Sequence, residues 1–154
     1  MKKLLLSVLV PLIVGATAGY FTSTSVKTWY TTLEKPWFNP PNWLFGPVWT
    51  SLYIMMGIAC WLVWSSNAGQ ELKRKALLLF GVQLMANFLW SFIFFYFHQV
   101  GLAFMEIIIL WLLILLCIFS FARVDKRAAW LMVPYISWVT FAAILNGTIW
   151  MLNR

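Results

Sequence analysis

The sequence predicts an all-α integral membrane protein, a single bundle of five transmembrane helices occupying residues 1–154. Three observations carry that prediction. Of the 154 residues, 63% are apolar and only 10% charged, an imbalance that excludes a water-soluble globule. The charges are clustered, leaving 4–26, 36–70, 76–105, 107–122 and 128–153 free of Asp, Glu, Lys and Arg. A helix needs about 20 apolar residues to cross a hydrocarbon core of about 30 Å, so this chain length suits five crossings with short connections. A β-barrel would alternate polar and apolar residues, whereas the run Ile107, Ile108, Ile109, Leu110, Trp111, Leu112, Leu113 is apolar on every side.

The first span follows Lys2 and Lys3 and is predicted over 4–26. Gly15 and Gly19 stand there at a small-xxx-small spacing that favours close helix contact, read first as packing within the bundle and second, with Gly81 and Ala86, as contact between copies. Its basic start and Ala16-Thr17-Ala18 imitate a secretory signal, but the span is read as a permanent helix. Residues 27–42 contain Pro36, Pro40 and Pro41, which lack an N–H and fix φ, so an ordered aromatic loop is expected. The second span is predicted over 43–65, with Pro47 near its first turn, ending at Asn67-Ala68-Gly69.

Residues 76–122 hold one charge and would extend about 70 Å as a continuous helix, twice the hydrocarbon core. They must fold back, and His98-Gln99-Val100-Gly101 is the place to turn. Spans three, four and five are thus predicted over 76–97, 101–122 and 128–151.

This topology puts Lys2, Lys3, Lys73, Arg74, Lys75, Arg123, Lys126 and Arg127 on one side, against Lys27, Lys35 and Arg154 on the other. The positive-inside rule then places the N-terminus in the cytoplasm and the C-terminus and proline-rich loop outside. Dispersal of the positive charge over short loops excludes nucleic acid as a partner.

Cys60 and Cys117 lie in different apolar helices with no metal-ligand spacing, so no metal site and no disulfide is expected. The single histidine, His98, falls at a turn and reads as a solvated or capping group rather than a haem ligand. Glu106 is the one carboxylate inside a span. Such a group is costly there, but with no second carboxylate, paired nucleophile or phosphate loop, acid-base catalysis has no apparatus. A structural hydrogen bond near the headgroups is the expected role.

The eleven tryptophans are the unusual feature. Trp43, Trp64, Trp130 and Trp150 fall near predicted span ends, where indole rings collect at membrane interfaces. Trp49, Trp90 and Trp138 lie inside spans two, three and five. Their helical faces also carry Tyr53, then Gln83 and Asn87, then Ala142 and Asn146. An amide in hydrocarbon needs a partner, so Asn87 and Asn146 should face the interior. They read either as interhelical glue or as orienting groups in a cavity with aromatic walls and a small floor at Ala142 and Ala143.

The segments WYTTLEKPWFNPPNWLFGPVWTSLYIMMGIACWLVW (29–64), ANFLWSFIFF (86–95) and PYISWVTFAAILN (134–146) resemble the TspO/MBR family, the tryptophan-rich sensory proteins that include the mitochondrial translocator protein or peripheral benzodiazepine receptor. The five-span layout agrees over the full length. The resemblance implies a homodimer in a bacterial cell membrane that binds porphyrin-like tetrapyrroles and, in some members, sterols and benzodiazepine-type ligands. No cofactor is required; porphyrin is ligand or substrate. Matched by motif, the ligand-binding residues would be Tyr30, Pro47, Trp49, Asn87, Trp90, Trp138, Ala142 and Asn146. In a light-dependent oxidative degradation of porphyrin, Trp49 or Trp138 would stack on the ring and donate an electron. A transporter or stress sensor for tetrapyrroles or other lipophilic molecules is the alternative function. Vertebrate members carry a tyrosine-containing cholesterol pattern late in the fifth helix. Leu145 to Arg154 contains no Tyr, so cholesterol is not an expected partner.

Overall fold

The computed structural model describes residues 1–154 and is helical throughout, without a strand. Its elements are α1 (Lys2–Lys27), a single turn α2 (Trp29–Thr32), α3 (Asn42–Ser65), α4 (Gln70–Ser91), α5 (Val100–Ala122), α6 (Lys126–Leu131) and α7 (Val133–Leu152). α4 runs on as a π-helical turn over Phe92–Tyr96, and α6 and α7 together form the last span. Five segments are long and apolar enough to cross a membrane, as the spacing of the charges predicts.

Two boundaries differ from the sequence reading. The third span starts at Gln70 rather than 76, because Glu71, Lys73, Arg74 and Lys75 continue the helix beyond the apolar stretch and Glu71 pairs with Lys75 one turn on at 3.2 Å. The last span is interrupted at Met132, and Pro134 occupies an early position of α7, where its missing N–H costs nothing. Pro47 is the sixth residue of α3, one position deeper than the sequence reading places it.

The spans form a closed ring: α1 packs on α3, α3 on α6 and α7, these on α5, α5 on α4, and α4 with its π-helical turn back on α1. The α1–α3 contact is the most extensive and rests on glycine. A Cβ on Gly57 would lie 2.5 Å from the Val8 Cα, and one on Gly15 would overlap the Tyr53 ring. Gly15 therefore packs internally, as expected, whereas Gly19 and Gly81 have open space beside them.

The turn between spans three and four falls at Phe97, His98 and Gln99. His98 adopts φ 56°, a left-handed conformation that is uncommon outside glycine. Its ring is held on two sides, stacked on Trp29 at 4.1 Å and 3.2 Å from the Ser25 Oγ.

Candidate ligand cavity and the polar network beside it

A cavity of about 700 Å³ lies between α1, the start of α3 and the end of α4. Its α1 wall is small and weakly polar: Gly15, Ala16, Ala18, Gly19, Thr22 and Ser23. Thr22 donates its hydroxyl back to the Ala18 carbonyl at 2.8 Å, leaving the wall without a free donor there. The facing wall is aromatic, built from Trp43, Phe45, Trp49, Tyr53, Trp90 and Phe95. The Trp49 and Trp90 ring centroids are 6.5 Å apart, and Trp49 stacks on Tyr53 at 5.6 Å. A recess of this size and composition suits one mainly apolar, flat guest.

Lys27 and Asn42, the two ends of the proline-rich loop, stand at the edge of the cavity. The loop between them is ordered by its own bonds. Tyr30 is buried behind the cavity wall, its ring 6.4 Å from Phe45 and 5.7 Å from Phe95. Its hydroxyl donates to Asn39 Oδ1 at 2.6 Å, and burial pushes the phenol up to about 12. Lys35 Nζ donates to the Tyr30 and Leu33 carbonyls at 2.8 and 2.7 Å. Asn153, just past α7, grips the Glu34 backbone from both sides: the Glu34 N–H donates to its Oδ1 at 2.9 Å and its Nδ2 donates to the Glu34 carbonyl at 2.8 Å.

The amides of the expected site lie beside this cavity, in a closed network. Tyr53 donates to Asn87 Oδ1 at 2.6 Å, Asn87 Nδ2 to the Tyr135 oxygen at 3.0 Å, and Tyr135 to Gln83 Oε1 at 2.9 Å. The chain of bonds ties α3, α4 and α7 together, and Asn87, Gln83 and Tyr135 are fully buried. A second link joins the other end of the bundle: the Trp90 indole donates to Asn146 Oδ1 at 3.1 Å, and Asn146 Nδ2 donates to the Val100 carbonyl at 2.9 Å. Both asparagines thus face the interior as expected, with their donors and acceptors already engaged.

Of the residues singled out from sequence, Trp49 and Trp90 line the cavity, and Tyr30 backs it. Trp138 stands farther along the same aromatic layer, 6.2 Å from Phe45 and 5.4 Å from Phe141, with its indole N–H buried and unpaired. Ala142 is buried on α7, and Pro47 is exposed on α3. Sequence reasoning missed Tyr135 as the hub partner and the α1 wall. The run Gly15-Ala16-Thr17-Ala18-Gly19 was the available signal for the latter, since side chains this small leave room beside large rings.

The other expectations have plain outcomes. Trp43 and Trp130 are 71% and 73% exposed, as rings at a membrane interface should be, and Trp43 also borders the cavity. Both cysteines are free. Glu106 Oε2 is buried without a hydrogen-bond partner, so the expected structural bond is not formed by that oxygen.

Comparison with known proteins agrees with this architecture. Residues 7–151 match the TspO/MBR family. The chain is 41% identical to the tryptophan-rich protein TspO of Archaeoglobus fulgidus, over 98% of this chain and 97% of that one. It is 44% identical to the protein of the same name from Chlorobaculum tepidum, over 92% and 90%. The human translocator protein is 35% identical, over 82% of this chain and 75% of its own length. With five apolar spans and a match of this extent, the chain is an integral membrane protein that belongs to the TspO/MBR family.

Proposed function

We propose that the chain binds porphyrin-like tetrapyrroles in the cavity between α1, α3 and α4, with the loop over 28–41 as its cover. The supporting observation is the cavity itself, about 700 Å³ with small side chains on one wall and Trp43, Phe45, Trp49, Tyr53 and Trp90 on the other. Stacking and burial would supply the affinity. At about 25 cal/mol per Å², a few hundred Å² of buried macrocycle contributes several kcal/mol, reduced by the cost of association. Micromolar binding, about −8 kcal/mol, is the expected affinity and needs aromatic stacking in addition to burial.

The second reading is photo-oxidative breakdown of the bound macrocycle. It is favoured by oxidisable rings in contact along the wall, Tyr53 on Trp49 and Trp49 near Trp90. An indole such as Trp49 or Trp138 would lend an electron to the light-excited porphyrin, which would pass it to dioxygen; both oxygen atoms would then add across one carbon–carbon double bond of the ring, which breaks as the electron returns to the indole. The chromophore would carry the difficult chemistry and the protein would position it.

Tryptophan quenching during porphyrin titration tests the binding. Gly19→Leu is the sharpest variant, because Gly19 lines the cavity and has open space beside it; the new side chain fills the recess without displacing a helix. Binding unchanged in Gly19→Leu and in a Trp49→Ala, Trp138→Ala double variant would overturn the proposal. Illumination with product analysis tests the breakdown: equal bleaching to equal products with intact protein, double variant and free porphyrin would exclude it. Porphyrin flux into proteoliposomes without consumption would instead favour transport.

A further inference from the structure

At the opposite end of the bundle from the loop over 28–41, a separate cleft of about 490 Å³ lies between the start of α1, the end of α3 and the first turns of α4. Three cations edge it, Lys3, Lys73 and Arg74, and its apolar surface comes from Trp64, Leu77 and Leu78. We propose that this cleft is a binding site for the phosphate headgroup of an anionic phospholipid, with the acyl chain lying along Leu78.

Charge complementarity is the first argument. Lys3 Nζ sits 5.5 Å over the Trp64 ring, and Lys73 Nζ donates to the Ser66 carbonyl at 3.1 Å. Neither contact neutralises a charge, and none of the three cations has a carboxylate within ion-pair distance. The nearby acid, Glu71, is engaged by Lys75 at 3.2 Å. Two ammonium groups and a guanidinium lining one cleft can share the oxygens of one phosphate, and Arg supplies paired donors suited to it. Gly69 precedes α4 with no side chain to cap it, so the first N–H groups of α4, at Gln70 on the cleft edge, add to the same positive field.

The apolar side of the cleft decides the occupant. Leu78 lies one helical turn past Arg74, about 6 Å along the axis, and is 69% exposed on a membrane span. A free phosphate has nothing to place there and a nucleotide only a polar base, ill-suited to a leucine exposed on a membrane span, whereas a phospholipid carries its anion and its hydrocarbon at this separation. The basic rim is also the one that the charge distribution orients toward the cytoplasm, where the leaflet is anionic.

The experiment uses the full chain in nanodiscs of mixed phosphatidylglycerol and phosphatidylcholine, with co-purified lipid counted by native mass spectrometry after transfer to detergent. The wild type should retain phosphatidylglycerol in preference to phosphatidylcholine. Removing one cation by Arg74→Gln should lower retention about fivefold, from the roughly 1 kcal/mol each basic residue contributes at an anionic surface. The Lys3→Gln, Lys73→Gln, Arg74→Gln variant should abolish the preference. A control variant, Lys2→Gln, Arg123→Gln, Lys126→Gln, removes equal charge from residues that neither line the cleft nor pair with an acid and should retain the lipid. Equal losses in the two triple variants would overturn the site in favour of diffuse surface charge. Complete displacement by inorganic phosphate would overturn the lipid assignment in favour of a free anion. If the triple variant does not fold, Arg74→Gln against Arg123→Gln decides by the same comparison.

Discussion

Tyr53, Asn87, Tyr135 and Gln83 close on one another between α3, α4 and α7, while one helix away the same bundle leaves about 700 Å³ unfilled between α1, α3 and α4. Tyr53 belongs to both regions: its hydroxyl enters the network and its ring faces the cavity. The difference teaches where polar chemistry is safe in a membrane. Amides at that depth hold helices together because no water is present to satisfy them, and the space for a guest is left where one wall is aromatic and the other small and weakly polar. Trp90 serves both, lining the cavity with its ring while its N–H donates to Asn146.

Breaking the closed region should give the largest effect. Asn87→Leu strands the buried Tyr53 hydroxyl and leaves the Tyr135 hydroxyl only its bond to Gln83. Single interhelical hydrogen bonds in membranes average about 0.6 kcal/mol, but a buried group left unpaired costs about 1–3 kcal/mol, so a loss of about 2 kcal/mol is expected. Unfolding in mixed detergent should show it. If Asn87→Leu unfolds like wild type while losing porphyrin, the amide serves the ligand instead.

Gly57→Ala acts on the frame that both regions share. The added methyl meets the Val8 backbone at 2.5 Å, which no rotamer change relieves, and overpacking costs about 1–3 kcal/mol. The α1–α3 spacing should widen, lowering the thermal midpoint and porphyrin affinity together. A variant as stable as wild type would show that α1 moves freely, and the cavity volume would then not be fixed by this contact.

Trp49→Ala should separate the regions. The ring lines the cavity and forms no hydrogen bond of the network, so porphyrin affinity should fall about tenfold, equivalent to about 1.4 kcal/mol, with a smaller change in unfolding. Equal porphyrin affinity in wild type and variant would place the guest elsewhere, nearest to Trp138 and its unpaired indole N–H.

The frame of this comparison was legible in the sequence, and its contents only partly. Charge-free stretches located every span, because a charge at membrane depth is costly wherever the helix packs. The same rule hid the start of α4, since Gln70 to Lys75 are helical outside the apolar stretch. That Asn87 and Asn146 face inward also followed from cost. Which group answers them did not: Tyr135 reaches Asn87 across 48 positions of chain, and such a pairing depends on helix register that no local pattern encodes. The cavity was harder still, because a void is the mismatch between two helices, Gly15 to Gly19 on one and Trp49 to Tyr53 on another.

The loop over 28–41 offers the smallest and most local test, because its fastening is separate from both regions. Tyr30→Phe deletes the bond to Asn39 Oδ1 and should cost about 1 kcal/mol, read as faster subtilisin cleavage beside the exposed Trp37 with little change in global unfolding. pH provides an independent check. Burial raises the Tyr30 phenol from 10.0 to about 12, so the unfolded loop ionises first. The stabilisation from burying the neutral phenol is complete below pH 10 and is lost as pH rises through the interval up to about 12. Subtilisin cleavage beside Trp37 should therefore accelerate over that interval in wild type and stay flat in Tyr30→Phe. The Lys35 ammonium lies 5.2 Å over the same ring. The same cleavage should for that reason also be followed in Lys35→Gln, where the wild-type dependence must persist if Tyr30 is its source.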